Sequence, residues 1–187
     1  VNSDIEKSFT ATLQMFDHKL NLLELLHEKP AMATVGLFSG GFFTGRPQTF
    51  DHSHLLGIRP NAQAGVVKPL KLHFRHTADG YLLSIKNPGE YYNRLISQSW
   101  QEVLGAMNSG IDDPTVFTLI NHQGKPITLA DIASQHSPIS LMTEDKRYLG
   151  GRKVKSSPYI YLAKTEERSK ITFILSILER KVAHTTK

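Results

Sequence analysis

No cysteine occurs among the 187 residues, so structural disulfides and thiolate metal sites are excluded. Nor is there a run of about 18 apolar residues, the length a membrane-crossing helix needs; the longest apolar stretch, Ile171 to Leu178, is strand-sized. Tryptophan occurs once, at Trp100. Acidic residues are scarce toward the end: from Lys146 to Lys187 eleven of the 22 Lys and Arg face only Glu166, Glu167 and Glu179. The formal charge of +5 is therefore concentrated in the last quarter, a bias that suits phosphate, acidic protein or anionic headgroups as well as a solvated surface. No signal peptide is recognisable, and a start at Val1 fits a processed product or a piece of a longer protein, cytoplasmic or secreted.

A chain of this length supports one domain, and folding buries roughly 70% of the surface its unfolded form would expose. Residues 1–30 read as an amphipathic helix packed on or linking that domain. Ser3 and Glu6 have capping-box spacing, Ile5, Phe9, Leu13, Phe16, Leu20 and Leu23 recur every three or four residues, and Pro30 supplies a stop. Its polar face mixes both charge signs, unlike a membrane-surface helix.

After Pro30 short apolar runs alternate with Gly, Pro, Asn and Asp, the pattern of an all-β domain. Three stretches share one plan: "VGLFSGGFFTGRP" (35–47), "LKLHFRHTADGYLLSIKNP" (70–88) and "ISLMTEDKRYLGGRK" (139–153). Each has an alternating strand, a turn, an aromatic followed by an aliphatic or aromatic residue, and a polar exit. Phe42, Tyr81 and Tyr148 are followed 12, 12 and 11 residues later by His54, Asn93 and Tyr159, which open "HLLGI", "NRLIS" and "YIYLA". A fourth strand follows as "TVFTLIN" (115–121) and "KITFILSIL" (170–178), with only "AGVV" (64–67) in the first copy. In "SQSWQEVLGAMNSGIDDP" the spacing of Trp100, Val103, Leu104 and Met107 predicts a short inserted helix.

Three units of about four strands, in the wording of "LHFRHTADGYLLS" and "FTLINHQGKPITLADIASQHSPISLMTEDKRYLGG", resemble the β-trefoil superfamily, and most closely its fascin-like and actin-crosslinking members. The resemblance implies a mainly β fold, a single β-trefoil over residues 33–182. Its core would include Leu37, Leu72, Leu83, Leu95, Phe117, Leu141, Leu149, Tyr161 and Phe173. It also places Gly150 and Gly151 just past a hairpin strand, where Gly45 stands in the first copy, as turn residues. Phosphate cradling is disfavoured because "RKVKSSPYIYL" reads as loop then strand, without the helix start such glycines need.

No catalytic constellation stands out. A thiol is missing, no Gly-x-Ser-x-Gly elbow occurs, and Asp112-Asp113 and Glu166-Glu167 sit in turn-like contexts. The expectation is a non-enzymatic protein without cofactor. "DHSH" puts His52 and His54 on one face if extended, with His73 and His76 as further imidazoles, but His-x-His alone is a weak metal motif, and a cupin-like glutamate does not follow.

A recognition module, of the kind carried by toxin or effector proteins, fits better. Glycan binding needs an aromatic platform and directional polar groups. Gln98 and Trp100 match the Gln-x-Trp of ricin-type lectins once, and Tyr91 and Tyr92 add aromatics. The alternative is a protein contact of actin type, or an anionic surface, engaged by the basic face of Arg147, Arg152, Lys153 and Lys155. Nucleic acid is disfavoured, since the aromatics near this run belong to strands rather than to a charged groove.

Overall fold

The computed structural model describes residues 3–35, 38–39, 42–43 and 48–185. Its strands in chain order begin with β1 (Ser3–Gln14), β2 (His18–Leu22), β3 (Met32–Val35), β4 (Phe38–Ser39), β5 (Phe42–Phe43) and β6 (Gln48–Asp51). Next come β7 (Leu56–Pro60), β8 (Leu70–Thr77), β9 (Gly80–Ile85), β10 (Leu95–Gln98), β11 (Leu104–Met107) and β12 (Phe117–Ile120). Last are β13 (Pro126–Ile127), β14 (His136–Thr143), β15 (Tyr148–Lys153), β16 (Ile160–Thr165) and β17 (Phe173–Arg180). The α-helix among the described residues is α1 (Leu23–His27), which Glu28 ends in a left-handed conformation.

The protein is mainly β, and six strands close a barrel. Around the ring β1 pairs β8, β8 pairs β9, β9 pairs β12, β12 pairs β14, β14 pairs β17, and β17 returns to β1, all antiparallel. Side chains two apart fill its interior. Phe9, Ala11 and Leu13 of β1 meet Leu70, Leu72 and Phe74 of β8, Tyr81, Leu83 and Ile85 of β9, and the inward residues of the other three strands. The Phe9 and Phe74 rings stack at 4.6 Å, and Tyr81 stands edge-on to both at 5.7 and 6.1 Å. The Tyr81 hydroxyl donates to the Lys7 carbonyl at 2.7 Å and accepts from the Leu129 N–H at 3.0 Å, so the ring is anchored at its polar end too.

Among the described residues, three strand pairs of the main sheet lie outside the ring, β2 with β7, β10 with β11, and β15 with β16, while β3 with β6 and β4 with β5 form two small separate sheets. The three pairs meet one another. β7 joins β16 at Ile58 and Ile160, Leu55 bridges to Gly105, and Val103 bridges to Ala163. Leu23, Leu26, Leu55, Val103, Tyr159 and Tyr161 form a second apolar cluster there.

The expected N-terminal helix is corrected to strands. Phe9 and Leu13 fit a helical and a two-residue period equally, because four is close to one and to two repeats; Thr10, Ala11 and Thr12 between them give the strand alternation. Ile5 and Phe16, which belonged to the helical stripe, are exposed at 49% and 87%. Within that segment residues 3–30 are thus not an appendage, since β1 lies between β8 and β17. The inserted helix is likewise replaced, by β10, a single 3-10 turn at Trp100–Glu102 and β11. Here Leu95–Gln98 offers an antiparallel partner to Leu104–Met107, and pairing overrides the helical spacing.

The repeat is in a different register from the sequence reading. Tyr81 lies in ring strand β9, whereas Tyr148 lies in outer strand β15. "AGVV" forms no strand, and β8 takes the place expected of it. Of the expected core, Leu72, Leu83, Phe117, Leu141, Leu149, Tyr161 and Phe173 are buried; Leu95 is only half-buried, with Ile96 inward instead. Leu37, Gly45 and most of the 35–47 stretch lie outside the described residues.

Gly150 and Gly151 are not turn residues. They sit inside β15 opposite Ala163 and Leu162. A Cβ on Gly150 would come within 2.5 Å of the Ser169 carbonyl oxygen and 2.6 Å of Thr165 Cγ2. Close approach of the 3-10 turn Glu167–Ser169 therefore demands glycine. We expect Gly150→Ala to cost about 1–3 kcal/mol by overpacking. A urea unfolding midpoint unchanged from the wild type would refute this.

Candidate functional site

The loop 86–94 between β9 and β10 is closed at its base by Asn93 N–H to Ile85 O at 2.7 Å and Ile85 N–H to Arg94 O at 2.9 Å. Gly89 and Asn93 take positive φ of 137° and 66°, conformations open to Gly and tolerated by Asn. Asn87 ties the loop to the sheet, accepting from the Lys71 N–H at 2.8 Å and donating to the Pro69 carbonyl at 3.0 Å. The result is a braced loop that carries Glu90, Tyr91 and Arg94 toward the segment after β6 and the end of β11.

Tyr91 is the shared wall of two hollows. The outer one, about 360 Å³, is lined by Asp51, His54, Glu90, Arg94 and Asn108, with Ala106 and Met107 beneath. The inner one, about 140 Å³, is bounded by Leu22, Leu25, Ile85 and Pro88, with Glu24 and Glu90 at its edge. The Tyr91 hydroxyl donates to Glu24 Oε2 at 2.6 Å, and the Arg94 guanidinium lies 5.3 Å from the ring centroid. Burial, and then the Glu24 carboxylate, push the Tyr91 hydroxyl well above the usual phenol range, so it stays a donor.

Two further groups are fixed in charge. Asp51 accepts from the Ser53 N–H at 3.0 Å, and bonds from Ser53 hold its carboxyl below the usual range. Burial lowers the His54 imidazole against the opposing pull of Asp51, which leaves it neutral at pH 7. The outer hollow thus offers two carboxylates, one guanidinium, one neutral imidazole, one amide and an aromatic edge. This set is equipped to exchange hydrogen bonds with a polyhydroxylated ligand.

A larger groove of about 530 Å³ is lined by the segment that links β12 to β14 and by the start of β14, with His122, Lys125, Asp131, Ser134, His136 and Ser137 beside it. Several of its polar groups are already spent. Ser134 and Ser137 hydroxyls pair at 3.1 Å, Asp131 accepts from the Thr128 N–H at 2.9 Å, and His136 pairs with Ser176 at 2.8 Å. Lacking an aromatic platform, it is the poorer candidate despite its size.

The residues expected to form a glycan site are not gathered in one place. Tyr91 lines both hollows, but neither includes Gln98, Trp100 or Tyr92. Gln98 is exposed at the end of β10, its N–H donating to Thr115 Oγ1 at 2.8 Å. Trp100 packs on His52 at 4.4 Å and Tyr161 at 5.5 Å as part of the second apolar cluster. Tyr92 is exposed beside Lys86 Nζ, 5.0 Å from its ring centroid.

The basic face divides as well. Arg147 donates to Glu102 Oε2 at 3.3 Å; Arg152 donates to the Gln101 carbonyl at 2.5 Å and the Lys164 carbonyl at 2.8 Å. Both hold the turn in which Gln101 and Glu102 adopt φ of 49° and 64°, a left-handed pair that costs energy for residues with a Cβ. Lys153 and Lys155 are exposed. The extended geometry supposed for His52 and His54 gives way to a turn, with Leu55 N–H bonded to His52 O at 3.0 Å. His52 is buried with Nδ1 on the Tyr161 hydroxyl at 2.8 Å, and among the described residues no group of three or more His, Asp or Glu is placed to hold a metal ion.

Glu24, Asp51 and Asn108 escaped sequence reading because each comes from a separate segment that meets the 86–94 loop only in the fold. Glu90 and Arg94 were within reach, flanking the singled-out tyrosines in "PGEYYNR". No protein-family model, curated protein or solved structure matches this chain.

Proposed function

We propose that the chain is a β-trefoil acting as a non-enzymatic recognition module, and that it binds a glycan in the cleft beside Tyr91. The trefoil reading is supported by the order of elements. Each third of the chain runs ring strand, outer strand, outer strand, ring strand: β1, β2, β7, β8; then β9, β10, β11, β12; then β14, β15, β16, β17.

The observation that carries the glycan reading is the convergence of Asp51, Glu90, Arg94 and Asn108 around one half-buried tyrosine. Sugar hydroxyls need paired donors and acceptors, while the CH face of the ring needs an apolar or aromatic surface. Trp100 packs on the neighbouring cluster and stands outside this proposal.

Titration calorimetry with a panel of hexoses and N-acetyl hexosamines, at low and high salt, tests it. Saturable binding that changes little with salt is expected, weakened at least about tenfold in Arg94→Ala by loss of charged hydrogen bonds and retained in Trp100→Phe. Binding only to anionic partners, falling steeply with salt, would instead favour the exposed lysines Lys153 and Lys155.

A further inference from the structure

We propose that the inner hollow behind Tyr91 is an acetamido subsite, so that the cleft selects sugars carrying an N-acetyl group. This rests on the glycan reading above. The two hollows share Glu90 and Tyr91, so a sugar ring in the outer one would direct a substituent past that pair into the inner one.

The inner walls are more apolar than their residue names suggest. Leu22 and Ile85 are 1% exposed and form its floor, with Leu25 and Pro88 at the rim. Two asparagines line it, but their amides are occupied. Asn21 donates to the Lys68 carbonyl at 2.9 Å and accepts from the Leu22 N–H at 2.8 Å. Asn87 is held in the same way by Lys71 and Pro69. The side-chain acceptors left at the edge are the carboxylates of Glu90 and Glu24, the latter with one oxygen engaged by Tyr91.

Such a hollow asks for a small group with an apolar end and one N–H. Its volume of about 140 Å³ is close to that of a protein cavity that holds a benzene molecule, so a methyl and a carbonyl fit. An acetamido group supplies the methyl for Leu22, Leu25, Ile85 and Pro88 and an N–H for a carboxylate, leaving its carbonyl to water at the mouth. A hydroxyl would fill nothing, and an ester would bring no donor. A free ammonium would meet the carboxylates but be desolvated against the leucines.

The test compares N-acetylglucosamine and N-acetylgalactosamine with glucose, galactose, glucosamine and galactosamine by titration calorimetry on the full chain. At least one N-acetyl sugar should bind about tenfold or more tightly than its parent hexose and its free amine, from one buried methyl and one charged hydrogen bond. Leu25→Trp, which fills the hollow from a partly exposed rim, should abolish that advantage and spare the weaker hexose binding. Leu25→Met should keep it. Equal affinities for acetylated and parent sugars, or an advantage that survives Leu25→Trp, would overturn the subsite while the glycan reading stood. No saturable binding by any sugar of the panel would overturn both.

Discussion

Replacing Phe9 with alanine is expected to destabilise the protein by about 3–5 kcal/mol, the range for deleting a fully buried phenyl group. Phe9 is inaccessible to solvent, stacks on Phe74 at 4.6 Å and meets Tyr81 edge-on. The barrel is closed on every side at this level, with β8 and β17 hydrogen-bonded to the two edges of β1. Neighbouring strands therefore cannot move in to fill the void, which favours the upper part of the range. At about 2–4 °C per kcal/mol for a chain of this size, the melting temperature should drop by roughly 10 °C. Phe9→Leu, which keeps most of the volume, should lose much less. A change below about 1 kcal/mol in the alanine variant would mean that this side chain does not belong to a packed interior.

Mild acid should destabilise the protein through its histidines. Burial lowers the imidazoles of His27, His52, His54, His73, His76 and His184 below the free value, and His184 is pushed down to about 4 by burial together with Lys86, His73 and Arg75. Around that group His73 Nε2 donates to the Val182 carbonyl at 2.8 Å, and Lys86 Nζ donates to the Thr185 carbonyl at 3.0 Å, so a proton taken up there meets cationic neighbours. A neutral folded imidazole with an ordinary value near 6.5 when unfolded makes the unfolded chain the better proton binder. Stability is then complete above about pH 6.5 and falls as pH drops toward the folded values. At pH 5.5 His184 alone should take up about 0.9 proton on unfolding. Urea midpoints between pH 7.5 and 5 should decline steadily, with a shallower slope in His184→Gln. A flat profile over that interval would contradict the burial of these rings.

Much of the β architecture was legible because its strands announce themselves by alternation bounded by turns. The hairpin Leu70–Thr77 with Gly80–Ile85 closes on Ala78-Asp79 with Gly80 at φ 138°, and "HTADGY" carries that signal openly. "YIYLA" and "KITFILSIL" likewise overlap β16 and β17. What stayed hidden depended on partners distant in sequence. Phe9 and Leu13 could serve a helix until β8 and β17 were known to flank them, and Gly150 looked like a turn until Ser169 was seen against it. The cleft illustrates the same limit from the functional side. Tyr91 could be singled out as an aromatic near a turn, but Glu24 and Asp51 approach it only after the outer strand pairs have folded together.

The pairing of β1 with β17 also governs how the molecule can assemble on a ribosome. Thr12 and Leu13 lie opposite Ser176 and Leu175, so one edge of β1 has no partner until almost the whole described chain has been made. Contacts of such long range are slow to form, because a large loop must close before any of them contributes. Until then the nascent protein carries an open strand edge of unpaired N–H and C=O groups beside the uncovered core residues Phe9, Ala11 and Leu13, the kind of surface that chaperones bind and aggregates recruit. Yield in the cell should accordingly be more sensitive to changes in 173–180 than to equally buried changes within the early hairpin 70–85.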